Sequence, residues 1–299
     1  KLCVLGVSPV PTAVLPAMPW LFCKGERILD DYRRVAPFTE AQLKKWCAVL
    51  EGRQKWLTRR GIRYLVVIAP NKETIYADQM PRWVTRMPGP SRLDQIVGYL
   101  RGMSDVTVLD LRGAVAAHKG EDRLYYYTDT HWTDIGAFWG YHAIAQQLRQ
   151  WYPQLKPLLW EDLTRREVIV PGGDMARMCG LKHDLFEPQE QMQHPSSQLR
   201  ADEGSPVVWD RMDVHDRRVI RTRAAQGELG SGVIIRDSFG EGLVPYLGEH
   251  FQQATWVWDY GFPYELIQAE RPVVVIQQLV ERKLMVIVPE KSVKSLTLH

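Results

Sequence analysis

Five apolar, β-branched stretches separated by segments of helical periodicity constrain this chain more than any other feature. IRYLVVIAP (62–70), VTVLDL (106–111), GVIIR (232–236), ATWVW (254–258) and VVVIQQLV (273–280) are largely continuous apolar runs, not alternating ones. A strand covered on both faces reads this way. Between them lie helical patterns. Thr39 can cap the first, with Gln42 completing a capping box; Leu43, Trp46, Cys47, Leu50 and Leu57 share a face, and Gly61 ends it. Others are predicted over about 91–102, from Asp134 to Trp151, from the third strand to Phe251, and around PYELIQAE. Strand and helix in alternation predict an α/β fold: a doubly wound, mostly parallel sheet with helices on both faces.

The rhythm breaks over about 153–232, which is rich in Gln, Asp, Arg and Pro and has only short apolar runs such as VIV and VVW. That region reads as a smaller insertion or lid within a single domain spanning 1–299. At 299 residues and 45% hydrophobic content, one large core needs no disulfide or metal staple. A net charge of +3, with 38 basic and 35 acidic residues interspersed, argues against nucleic acid as a partner. Eleven tryptophans exceed ordinary usage; indole faces can stack on sugars or simply fill the core. Cys3, Cys23, Cys47 and Cys179 lack metal-ligand spacing and could form up to two disulfides or none. The chain starts at Lys1, as a processed or trimmed product would, and its leading segment is broken by Pro9, Pro11, Pro16 and Pro19.

In an open parallel sheet, ligands sit beyond the carboxyl ends of the strands. Asn71 and Lys72 follow the first run, Asp110 and Arg112 end the second, and Asp237 and Ser238 follow the third. These groups are expected to converge on one edge. RDSFGEG places Ser238 at a sharp strand-to-helix turn, with its hydroxyl exposed and its N–H in the first turn. A serine hydroxyl needs a base within hydrogen-bond reach and a partner that fixes the base's tautomer. YYYTDTHWTDIGA (125–137) supplies both: His131 as base and Asp129, two residues earlier, as its orienting acid. Thr133 and Asp134 then cap the following helix.

The residues alone leave other readings open. A strand-ending Asp-Ser is an ordinary helix cap, and a lone histidine is commonly structural. Asp-x-His is also a metal-ligand spacing, with His142 as third ligand, although its spacing from Phe138 and Ala145 suits a core position. Asn71, the chain's one asparagine, could donate to an oxyanion or shape a turn after Pro70. Lys72 could neutralise a substrate carboxylate or be solvated. Trp132, beside His131, is a candidate sugar contact.

Five segments in order, WLF (20–22), APNKETIYADQMP (69–81), DTHW (129–132), DSFG (237–240) and VVVIQQLVER (273–282), together resemble the alginate O-acetyltransferase (AlgX/AlgJ-like) family of SGNH-hydrolase-like proteins. The resemblance implies Ser238 as nucleophile, His131 as base and Asp129 as orienting acid, in an order circularly permuted from ordinary SGNH hydrolases, and no cofactor or metal. It further implies transfer of acetyl groups to hydroxyls of a secreted exopolysaccharide in the periplasm, beside a membrane acyl-transfer protein as acetyl source, with a tether to the inner membrane by a segment absent from this sequence. Arg236 stands where the family commonly has glycine, a departure that bears on the floor of the site. A carbohydrate acetylesterase and a non-catalytic polysaccharide-binding component of an export complex are the competing functions.

Overall fold

The structure is a computed structural model that describes residues 13–14, 19–201 and 219–289. Most of the leading segment, Cys3 and the VVW run at 207–209 lie outside the described residues. Strands in chain order are β1 (Ala13–Val14), β2 (Phe22–Cys23), β3 (Arg63–Ala69), β4 (Val108–Asp110), β5 (Thr164–Pro171), β6 (Phe186–Gln193), β7 (Arg200–Ala201), β8 (Val219–Arg223), β9 (Leu229–Arg236), β10 (Phe251–Trp258) and β11 (Val274–Val280).

The main sheet runs β4-β3-β11-β9-β10-β8-β7. Its first five strands are parallel, and β8 and β7 add an antiparallel edge. All five predicted strands are present, but the second, β4, is a three-residue, half-buried strand at the sheet's edge and not one covered on both faces. Along β3 successive residues serve opposite faces: Leu65, Val67 and Ala69 enter one core, Tyr64, Val66 and Ile68 the other. The first core is closed by the Asp134–Arg149 helix through Phe138, Tyr141, Ile144 and Leu148. The second is closed by the Glu40–Thr58 and Arg92–Met103 helices through Trp46, Leu50, Leu57, Ile96 and Leu100. Each such buried aliphatic side chain stabilises the fold by about 2 kcal/mol. The Thr39–Gln42 capping box forms as the sequence indicates.

Two expectations change. The segment after β9 is not one helix: it is a 3-10 helix (Ser238–Leu243), a single α turn (Val244–Leu247) and another 3-10 turn (Gly248–His250), and Phe251 already opens β10. Gly240 and Gly242 weaken helical propagation there and Pro245 removes a backbone donor. The irregular region also divides. β5 and β6 form a separate antiparallel hairpin, whereas β7 and β8 join the main sheet, and β9 begins at Leu229, inside the expected insertion.

Cys23, Cys47 and Cys179 are free. No helix among the described residues is long and apolar enough to cross a membrane.

Candidate active site

The turn that carries Ser238 is built from two strands. Asp237 follows β9 and is completely buried. Its carboxylate accepts from Phe239 N–H (2.9 Å), from Gln278 Nε2 (3.0 Å) and from Val280 N–H (2.6 Å), while its own N–H donates to Gln278 Oε1 (3.2 Å). Gln278 is the second of two glutamines that interrupt β11, and its place there has this cause. Ser238 is thereby placed as the first residue of the 3-10 helix. The Phe239 and Gly240 N–H groups are taken by Asp237, the latter through its carbonyl at 3.1 Å.

His131 arrives on the 124–133 loop. Tyr126 N–H donates to His131 O (3.2 Å) and Thr133 N–H to Leu124 O (2.9 Å), closing the loop on itself. Thr133 caps the next helix by accepting from Gly136 N–H. Residue 136 must be glycine, because a Cβ there would lie 2.2 Å from Leu124 O. Tyr125 pins the loop to the end of β3 through Pro70 O (2.6 Å).

At the meeting point His131 Nδ1 donates to Asp129 Oδ1 (2.6 Å), and Ser238 Oγ donates to His131 Nε2 (2.7 Å). Asp129 also accepts from His131 N–H (3.0 Å) and Asp174 N–H (2.8 Å). Burial opposes the charged form of both partners. For Asp129 the charge of His131 and these hydrogen bonds outweigh burial and hold the carboxyl well below its usual range. For His131 burial pulls the imidazole down, but Asp129's charge and hydrogen bond carry it above its ordinary value. A base held in one tautomer against a hydroxyl is the arrangement that nucleophilic acyl chemistry requires.

Other candidate residues lie nearby in different roles. Asn71 is buried with its amide engaged: Nδ2 donates to Asp31 Oδ2 (3.3 Å) and Oδ1 accepts from Arg282 N–H (3.1 Å). It ties β3 to β11 instead of facing an oxyanion. Lys72 is buried, not solvated or free for a substrate: its ammonium donates to the carbonyls of Leu21 (2.7 Å), Tyr127 (2.9 Å) and Asp129 (3.0 Å). Burial depresses it to about 8, against nearby carboxylates that raise it. Trp132 is buried, with its indole N–H on Phe239 O (3.1 Å), so its ring is core rather than a sugar platform. Arg236 is fully buried beneath the turn, paired with Glu241 (3.2 Å) and 5.0 Å from the Trp258 ring centre. Arg112 pairs with both Asp110 and Asp94.

His142 packs against Phe138 and Trp139, away from any ligand set with His131. Asp129, His131 and Asp174 do bring ligand-type atoms within 4.8 Å of one another. Both imidazole nitrogens are engaged by Asp129 and Ser238, so a cation there would have to break the relay.

Four residues escaped the sequence reading: Asp174, Gln278, Glu187, which accepts from the Tyr127 and Thr128 N–H groups, and Glu281, which accepts from Asn71 N–H (2.9 Å). Gly172-Gly173-Asp174 carried a signal, since paired glycines before an acid mark close backbone approach. Glu187 and Glu281 carried none.

The family described as "SGNH hydrolase-like domain, acetyltransferase AlgX" matches residues 16–207. The probable alginate O-acetylase AlgJ of Pseudomonas aeruginosa is 26% identical over 138 residues, 46% of this chain; the match spans 32% of that relative's length. Among solved structures, the O-acetyltransferase domain of Pseudomonas putida AlgJ superposes with a TM-score of 0.61 at 17% identity, covering 93% of this chain and 94% of its own. Bacillus cereus PatB1 does so with a TM-score of 0.61 at 14% identity, covering 91% and 96%. These likenesses show the shared fold, and the family match extends over most of the chain that carries the base loop: the chain belongs to the SGNH hydrolase-like, AlgX-type acetyltransferase family.

Proposed function

We propose that this chain is a polysaccharide O-acetyltransferase that carries an acetyl group on Ser238. The observation that supports it above all is the unbroken relay from Asp129 through His131 to Ser238, at 2.6 and 2.7 Å. His131 Nε2 takes the hydroxyl proton as Ser238 Oγ attacks the acetyl carbonyl of a donor ester. The Ser238 N–H faces the tetrahedral oxyanion. Collapse returns the proton to the departing alcohol and leaves acetyl-Ser238. An acceptor hydroxyl then gives its proton to His131, attacks the acetyl carbon, and releases Ser238 with its proton restored.

The acceptor is a hydroxyl on a secreted bacterial exopolysaccharide, the acetyl source a membrane acyl-transfer protein, and the compartment the periplasm. The acetyltransferase family and the alginate acetylase among the relatives support the polysaccharide acceptor.

Intact-mass and peptide spectrometry after brief exposure to 4-nitrophenyl acetate tests the first step. An acetyl adduct is expected on Ser238, absent from Ser238→Ala and His131→Ala. A wild-type protein that takes no adduct, under conditions that label a serine esterase, would falsify the covalent mechanism. Adding glycan then separates transfer from hydrolysis, because a true acceptor raises acetyl turnover and becomes acetylated, whereas water gives acetate alone.

A further inference from the structure

We propose that Asp174, delivered by the β5–β6 hairpin, is a positioning residue for the Asp129–His131 pair, an assignment that rests on the acyl-transfer reading above. The chain leaving β5 passes directly along the base loop. Gly173 N–H donates to Thr128 Oγ1 (2.8 Å), Asp174 N–H to Asp129 Oδ2 (2.8 Å), and Asp174 accepts from Thr130 N–H (2.8 Å) and Thr130 Oγ1 (2.5 Å). Three consecutive loop residues are thus held by two consecutive hairpin residues. The approach is so close that a Cβ on Gly173 would lie 2.4 Å from both Cβ and Oδ2 of Asp129.

An acid in the first turn of a helix is ordinarily there for its own helix. Gly173 is the N-cap of the short Asp174–Met178 helix, and the Asp174 carboxylate spends both oxygens on Thr130 in another segment. The second strand of the hairpin braces the other flank. Glu187, itself buried, accepts from Tyr127 N–H (2.7 Å), Thr128 N–H (3.1 Å) and the Thr128 hydroxyl, and pairs with Arg123 (2.9 Å).

Position also gives Asp174 an electrostatic role. Its Oδ2 lies 3.8 Å from His131 Nδ1, on the ring that becomes a cation when it takes the serine proton. The charged groups around that ring are Asp129 on its own loop and Asp174 from the hairpin, which both favour the imidazolium, and Arg282 from the end of β11, which opposes it. Asp174 in turn faces Asp129, and its charge is felt by Lys72 and Cys23. Burial and Asp129's negative charge push its carboxyl upward, while the two Thr130 donors favour the ionised form.

The test is Asp174→Asn in the full chain, which keeps an acceptor for Thr130 N–H and removes the charge. Two readouts are compared with wild type: the pH dependence of kcat/KM for 4-nitrophenyl acetate, and the His131 imidazole titration by nitrogen-15 NMR, which needs no turnover. The expected result is a kcat lower by up to about a hundredfold with KM little changed, and a His131 titration and acid limb both moved to lower pH. A folded variant that loses stability but titrates as wild type overturns the assignment. If Asp174→Asn does not fold, Gly173→Ala decides, since its Cβ intrudes on Asp129. There acylation is expected to fall about a hundredfold, and undiminished acylation overturns the assignment equally. A wild-type chain inert toward the ester would defeat the acyl-transfer reading instead, while the NMR titration would still report on Asp174.

Discussion

Ser238 sits on a turn locked into the sheet, whereas His131 sits on a loop held by groups from outside it. The turn draws its hydrogen bonds from the adjacent parallel strand, through Gln278 and Val280 of β11 to Asp237. The loop draws its own from Lys72 beyond the end of β3 and from a hairpin that forms a separate two-stranded sheet. The position of Ser238 is therefore a by-product of folding the core. The position of His131 is a separate arrangement, fixed by hydrogen bonds from a second sheet and from Lys72. Loss of the first should appear mainly as lost stability, and loss of the second mainly as lost activity.

The largest expected effect is on the loop side. Asp129→Asn should lower kcat by about 10⁴-fold, the scale on which tautomer control matters in a serine triad, with a change in melting temperature far smaller than that of any Asp237 variant. The same change should move the acid limb of kcat/KM downward. In wild type that limb should lie above the ordinary imidazole value of 6.5, because the folded-state pKa of His131 is raised by Asp129 against the pull of burial. The base is lost as pH falls through that raised value. The sign for stability is opposite: the favoured imidazolium stabilises the fold below the unfolded pKa, and this contribution disappears as pH rises through the folded one. A limb at or below 6.5 would contradict the charge arrangement described.

On the turn side, Asp237→Ala strips the acceptor from Phe239 N–H, Val280 N–H and the Gln278 amide in a completely buried place. Orphaned buried donors cost about 1–3 kcal/mol each, so a loss of roughly 3 kcal/mol or more in urea unfolding is expected. A variant as stable as wild type would break the contrast.

The smallest effects sharpen it. Thr39→Ala and Thr133→Ala each remove a helix cap, for about 1 kcal/mol. Thr39 serves a helix far from the relay, so only stability should change. Thr133 Oγ1 also donates to Arg123 O (2.7 Å) at the base of the loop, so acylation should slow as well. Equal kinetic effects from the two caps would show that the loop is not the sensitive part.

Strands of this kind are legible because a strand covered on both faces must be apolar throughout, and β3 and β9 announce themselves; their order in the sheet is not. The relay is legible for a local reason: Asp129 and His131 are two residues apart, and a serine at a strand's carboxyl end points to the same edge. Asn71 and Lys72 share that edge position, but their partners Asp31, Glu281, Arg282 and the Tyr127 and Asp129 carbonyls come from distant segments, and no local pattern announces that these polar groups will be buried together. Trp132 follows the same logic, since its indole N–H meets the Phe239 carbonyl 107 residues away.

What the sequence determined by itself was the alternation of elements, the parallel core, a candidate nucleophile at a strand's carboxyl end and a candidate acid and base two residues apart, because periodicity and short-range spacing are written along the chain. Only the tertiary structure decided that the irregular middle would divide between a sheet edge and a hairpin. It alone brought Asp174 and Glu187 against the base loop, 45 and 59 residues beyond the segments they hold. Such contacts depend on where a detached hairpin packs, a quantity set by the whole folded surface and by no local run of residues.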